Sequence, residues 1–189
     1  MSLFMIGRSD MGSLARLGAV VVAGAALMTL AAKVQVPFWP VPMTLHTLAV
    51  MGFAVSLGPK RAAAIFVAYL AAGATGLPVF SGSPERGIGL AYMAGPTGGY
   101  LAGYLVASWL VGKLAAGRGF LGRLGAMLAG LAVIYACGLA WLALHVPSAK
   151  LLAVGFAPFI LGDLVKIAMV ALGAAALPPL LSRLTGGVR

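Results

Sequence analysis

One acid and one base stand together inside an apolar run. The octapeptide Phe159-Ile160-Leu161-Gly162-Asp163-Leu164-Val165-Lys166 lies within a stretch from about Leu151 to Leu181 that is otherwise apolar. Such a stretch is long enough to cross a bilayer, and an ionisable group at membrane depth is costly unless it faces a partner, a cavity or a ligand. Three residues apart on a helix, Asp163 and Lys166 share one face about one turn from each other. They can therefore pair internally and only orient the helix, or together grip one polar solute. Because intramembrane charges mark pathways and sites, the pair is the first place to look for function.

The elements that position this pair follow from composition. The chain has 189 residues, 62% of them hydrophobic and only 8% charged, against roughly 25% charged in soluble domains. This reads as an all-α integral membrane protein, in one domain over residues 1–189. Six spans of about 20 residues each with short connections use nearly all of that length, which predicts a compact bundle of six transmembrane helices. The net charge of +10 does not point to nucleic acid, because the thirteen basic residues are scattered singly between apolar runs. Cys137 is the only cysteine, which excludes an internal disulfide or a cysteine metal cluster. His46 and His145 lack metal-ligand spacing and are expected to pack or bond near helix ends.

Along the chain, the apolar runs predict spans at about 14–32, 43–58, 62–77, 97–116, 124–146 and 151–182. A charged start before the first run would also suit a secretory signal, but the run is long for one and further spans follow. Ala15, Ala19 and Ala23 recur every four residues in the first span and leave a smooth stripe for close helix approach, either inside the bundle or by an external partner. Lys33 to Pro42 contains Pro37, Pro40 and Pro42 and cannot be regular helix. It is an extended connection whose Phe38 and Trp39 belong to an interfacial aromatic belt or cover a cavity. Leu77 to Gly89 is rich in Gly, Ser and Pro and reads as a folded loop, of the kind that carries sites. Thr97 is placed to cap the fourth helix, and Gly98 and Gly99 allow another backbone to come close.

Bases beside the spans divide unequally: Arg8, Arg16, Lys60, Arg61, Lys113, Arg118, Arg123, Arg183 and Arg189 on one side, and Lys33, Arg86 and Lys150 on the other. By the positive-inside rule both termini are cytoplasmic and the two loops with candidate site residues are external. The chain has no Gly-x-x-x-x-Gly-Lys-Ser/Thr phosphate loop, so it does not bind ATP by that mechanism, and its three acids are too few for the usual hydrolase sets. An enzyme is not expected.

Four motifs, Val41-Pro42-Met43-Thr44-Leu45, Gly76-Leu77-Pro78-Val79-Phe80, Gly95-Pro96-Thr97-Gly98-Gly99-Tyr100 and the octapeptide at Phe159, resemble the BioY family, the biotin-specific S components of energy-coupling factor transporters. The resemblance covers most of the chain, in order. It implies a six-helix bundle in the cytoplasmic membrane of a prokaryote, surrounded by membrane lipid, with an outward-facing biotin pocket and no cofactor. It also implies an energising module of a transmembrane T protein and two ATPase subunits, with Ala15, Ala19 and Ala23 contacting the T protein. The acid and base of the family's sixth helix match Asp163 and Lys166. In the loop where some relatives carry Gln or Asn pocket residues, this chain has Ser81, Ser83, Glu85 and Arg86.

Biotin's ureido ring offers N–H donors beside a strongly accepting carbonyl, which Asp163 and Lys166 can meet as charge-assisted hydrogen bonds. Its sulfur-containing ring and valerate chain suit Phe38, Trp39, Phe80 and Tyr92, with Ser81 as a further contact and Arg86 at the mouth for the terminal carboxylate. A rival pose turns the carboxylate to Lys166. Another small vitamin as ligand, or a membrane scaffold with a structural Asp163–Lys166 pair, are the alternatives.

Overall fold

The computed structural model describes residues 8–184; residues 1–7 and 185–189, among them Arg189 of the basic count, lie outside the described residues. Along the described chain run α1 (Arg8–Lys33), β1 (Gln35–Val36), β2 (Met43–Thr44), α2 (His46–Leu57), α3 (Pro59–Ala74), α4 (Gly89–Ala94), α5 (Gly98–Ala115), α6 (Phe120–Leu142), α7 (Ser148–Gly155) and α8 (Ala157–Leu184). Among the described residues three stretches are long and apolar enough to cross a membrane: Leu14–Lys33, Phe120–Leu142 and Ser148–Ala176.

Helix α5 lies at the centre, packed on α2, α3 and α6, while α1 leans on α3 and α8 closes the bundle against α2 and α6. Glycine makes the α5–α6 contact possible. A Cβ on Gly103 would sit 2.8 Å from the Ile134 Cα, so any side chain there would force the two backbones apart. Two cores result. One joins α2, α5, α6 and α8 around Met51, Val111, Met127 and Ile134, and the other joins α1, α2 and α3 around Met28, Ile65, Phe66 and Tyr69.

The proline-rich connection is a small hairpin. Gln35 pairs with Thr44 and Val36 with Met43, and the intervening prolines, lacking N–H donors, stop the ladder there. The second apolar run therefore begins as strand, and its helix starts only at His46. The folded loop after α3 is tied both to the end of α1 and to the turn of this hairpin. Lys33 Nζ donates to the Phe80 and Ser83 carbonyls at 3.0 and 2.8 Å, and Arg86 donates to the Phe38 and Pro40 carbonyls at 2.8 and 3.2 Å.

The last apolar run differs from the single helix expected. It is interrupted at Phe156, between α7 and α8. The Tyr100 hydroxyl donates to the Gly155 carbonyl at 2.6 Å, while Phe159 N–H turns to the Phe156 carbonyl at 3.0 Å, so the regular ladder is broken at this point. Gly155 itself is wedged against Leu139, Leu142 and Tyr100. Thr97 does occupy the position before α5, but its side chain makes no capping hydrogen bond.

Candidate substrate pocket

Helix α8 presents Phe159, Asp163, Lys166, Ile167 and Ala171 to the bundle, while Leu161, Leu164, Val165, Met169 and Leu172 face outward. That is the spacing of one helical face, and it carries both charges inside. Asp163 is 5% exposed and Lys166 8%, far too little for either to be solvated as an isolated ion.

Each is instead satisfied by named partners. Lys166 Nζ lies 2.9 Å from Asp163 Oδ1 and donates to the Thr44 carbonyl at 2.6 Å. The Tyr135 hydroxyl of α6 donates to Asp163 Oδ2 at 2.8 Å. Among the described residues no buried side-chain polar atom is left without a partner, and no group of His, Cys, Asp or Glu is placed to hold a metal ion.

The pair opens on a pocket, part of it continuous with solvent, whose walls come from the hairpin, α2, α5, α6 and α8. Met43, Tyr100, Leu101, Tyr104, Ile134 and Phe159 give it an apolar and aromatic lining, and Thr44, His46, Ser81, Tyr92 and Thr97 add polar groups. This is the composition of a small-molecule site: mostly apolar walls with a few fixed polar atoms. Burial pushes the Tyr92 phenol up from its ordinary range, against smaller opposing effects of the Thr97 hydroxyl and the Arg86 charge, so it remains a neutral donor at the mouth.

The residues singled out in the sequence are placed unequally. Asp163, Lys166, Ser81 and Tyr92 line the pocket together. Ser81 donates to Gln35 Oε1, tying its loop to β1. Phe80 is not in the lining: it is fully buried, stacked on Tyr92 with centroids 4.7 Å apart and set edge-on to Tyr69, so it backs the wall instead of forming it. Phe38 is also outside the lining, packed edge-on against Phe159 at 5.9 Å. Trp39 is 78% exposed under the Arg86 guanidinium, as an interfacial aromatic would be, and both border a second groove. That groove meets the pocket at Tyr92 and Thr97, which line both. Ala15, Ala19 and Ala23 are exposed and not packed inside the bundle.

Sequence reasoning did not find Tyr135, Tyr104, Tyr100 or the Thr44 carbonyl as site groups. A tyrosine in the middle of the otherwise apolar α6 was the available signal for Tyr135. Thr44 and Tyr100 stand in two of the four motifs, but no side-chain pattern marked the Thr44 carbonyl, because its contact to Lys166 is made by backbone. His46 was expected to bond near a helix end and does so, at the first residue of α2.

Fold and pocket define an α-helical membrane protein with a small-molecule-sized pocket, polar at its base, inside its bundle. Comparison with known proteins gives the family: residues 7–183 match the BioY family, and the chain belongs to it. It is 38% identical over 157 residues to the biotin transporter BioY of Thermotoga maritima, covering 82% of this chain and 91% of that one. It is also 38% identical over 143 residues to a probable biotin transporter BioY of Pyrococcus horikoshii, covering 76% and 84% respectively. The crystal structure of the S-component for biotin from an ECF-type ABC transporter superposes with a TM-score of 0.75 at 25% identity, over 89% of this chain and 93% of that one.

Proposed function

We propose that this chain captures biotin outside the cell and is the substrate-specificity subunit of an energy-coupling factor transporter, a transport protein and not an enzyme. The observation that carries the reading is the hydrogen-bonding capacity left over at the buried pair. Lys166 has three N–H donors, of which Asp163 and the Thr44 carbonyl take two. Asp163 has about four acceptor sites, of which Lys166 and Tyr135 take two. One donor and spare acceptors thus remain side by side, the complement of the N–H and C=O that share one edge of a cyclic urea.

In this pose Tyr100, Tyr104, Ile134 and Phe159 hold the sulfur ring and the valerate chain. The carboxylate reaches the mouth at Tyr92 and Thr97, toward Arg86, whose guanidinium has five N–H donors and spends two on the hairpin carbonyls. Phe38, Trp39 and Phe80 act on the ligand only through what they support.

The chain lies in the cytoplasmic membrane of a prokaryote, with α1, α2, α3, α5, α6 and the α7–α8 stretch as six spans and both termini cytoplasmic. Two contacts support this arrangement of the charges. Gly112 abuts Pro59, which brings Lys113 to the same end as Lys60 and Arg61, and Arg123 donates to the Ala174 carbonyl at 3.2 Å. Lys33 and Arg86 meet at the other end, in the hairpin and loop. Basic residues so distributed put the pocket mouth outside. Energy comes from partner subunits, a transmembrane T protein and a pair of ATPases, with the exposed Ala15, Ala19 and Ala23 stripe as the T-protein contact.

Equilibrium binding of labelled biotin to the purified protein tests the reading. Saturable binding of one biotin per chain is expected, and binding that is not saturable or not competed by unlabelled biotin would sink it.

A further inference from the structure

His46 is 4% exposed and lines the pocket, yet in the pose above no ligand atom requires it. Its ring is held on two sides, stacked on Tyr104 with centroids 5.4 Å apart and set edge-on to Tyr69 at the same distance. Both ring nitrogens are engaged. Nδ1 lies 2.8 Å from the Thr44 hydroxyl and Nε2 lies 2.9 Å from the Tyr69 hydroxyl.

One direction of this chain gives every group in it a partner. With the Tyr69 hydroxyl as donor to the Val79 carbonyl at 3.4 Å, it receives the Nε2–H of His46 through a lone pair. Nδ1 is then the acceptor, and the Thr44 hydroxyl donates to it. The same hydroxyl oxygen accepts the backbone N–H of His46 at 3.3 Å, so Thr44 is clasped to the start of α2 by two contacts. Thr44 is also the residue whose carbonyl receives Lys166 Nζ. The path from ring to ammonium therefore passes through one residue, held by its side chain on one side and used by its backbone on the other.

We infer that His46 is a positioning residue for the substrate: by clasping Thr44 it aims the Thr44 carbonyl at Lys166 and so sets where the remaining N–H of Lys166 points. The inference rests on the pose proposed above. It assigns to His46 more than packing, because a ring of the same shape without an acceptor at Nδ1 would fill the space and leave Thr44 free to turn. A hydroxyl that loses its acceptor in a buried site seeks another, and the carbonyl of the same residue moves with it. Lys166 then loses the contact that opposes the pull of Asp163, and its third donor no longer lies beside the free acceptors of the carboxylate.

Two substitutions separate positioning from packing. His46→Asn keeps an oxygen at about the place of Nδ1 and discards the aromatic stacking; His46→Phe keeps the ring contacts and discards the acceptor. Titrated with labelled biotin, His46→Phe should bind about tenfold more weakly than the unsubstituted protein, the scale of one hydrogen bond, and His46→Asn should stay within about threefold. A packing role gives the opposite order, so His46→Phe binding as tightly as His46→Asn, or more tightly, overturns the inference. Thr44→Val supplies an independent arm if either variant does not elute as a folded monodisperse species. It removes the hydroxyl but not the carbonyl, should cost about as much as His46→Phe, and should add nothing to it in the double variant. Fully additive losses overturn the inference. Absence of saturable binding by the unsubstituted protein instead removes the biotin reading itself, and the inference with it.

Discussion

Asp163 and Lys166 are buried three residues apart, joined at 2.9 Å, and each has a further partner brought from elsewhere in the chain. Truncating one member of such a pair leaves the other charge desolvated and strips the ligand of a charge-assisted contact, which typically costs about 2–5 kcal/mol. Asp163→Ala and Lys166→Met should each weaken biotin by at least about a hundredfold, equivalent to about 2.7 kcal/mol. The double variant should lose much less than the sum, because the second change removes a stranded charge. Calorimetric titration of the four proteins checks this, and additive losses would mean that the two side chains do not act as a pair. Tyr135→Phe should weaken biotin by about tenfold, since Asp163 Oδ2 loses its donor while the ring remains to pack; unchanged affinity would place that bond outside the site. The pair itself was legible as the only acid and base in an apolar run. Its partners were not, since Tyr135 is 28 positions from Asp163 and Thr44 is 122 positions from Lys166, and only folding brings them close.

At the scale of elements, α1 is attached to the bundle along one half. Gly24 abuts Ile65 and Met28 and Ala32 are fully buried, whereas residues 14 to 20 are exposed around the whole helix. The Ala15, Ala19 and Ala23 stripe thus has room for a second protein's helix, and a large side chain there would keep that helix away without reaching the pocket. Ala19→Trp should abolish co-purification with a T protein and leave biotin affinity unchanged. Lost biotin binding with co-purification retained would reverse the roles. The small-residue spacing was readable in the sequence, but whether it faced inward or outward depended on which half of α1 packs. The break between α7 and α8 was not readable either. Gly155 stands in an apolar run like its neighbours, and what interrupts the helix is the Tyr100 hydroxyl arriving from α5. In the hairpin, by contrast, Pro37, Pro40 and Pro42 announced the loss of helix directly, while the short ladder between Gln35–Val36 and Met43–Thr44 depended on a pairing no local pattern marked.

The whole molecule is a device with a sided charge distribution, a mouth at the end poor in bases and a buried polar pair beneath it. On a Cys137→Ser background, cysteine introduced at position 60 should be labelled only from the cytoplasmic side and cysteine at position 85 from outside; labelling of position 60 from outside the cell would overturn the orientation. The central claim is that the buried pair reads the ureido ring and leaves the carboxylate to the mouth. The most direct test measures the affinities of biotin and of its carboxamide for the unsubstituted protein, for Lys166→Met and for Asp163→Ala. Because Lys166 does not meet the carboxylate in this account, both ligands should lose the same factor, at least about a hundredfold, on Lys166→Met. If the Lys166→Met loss vanishes for the carboxamide while Asp163→Ala still weakens it, biotin lies the other way round and the account is contradicted.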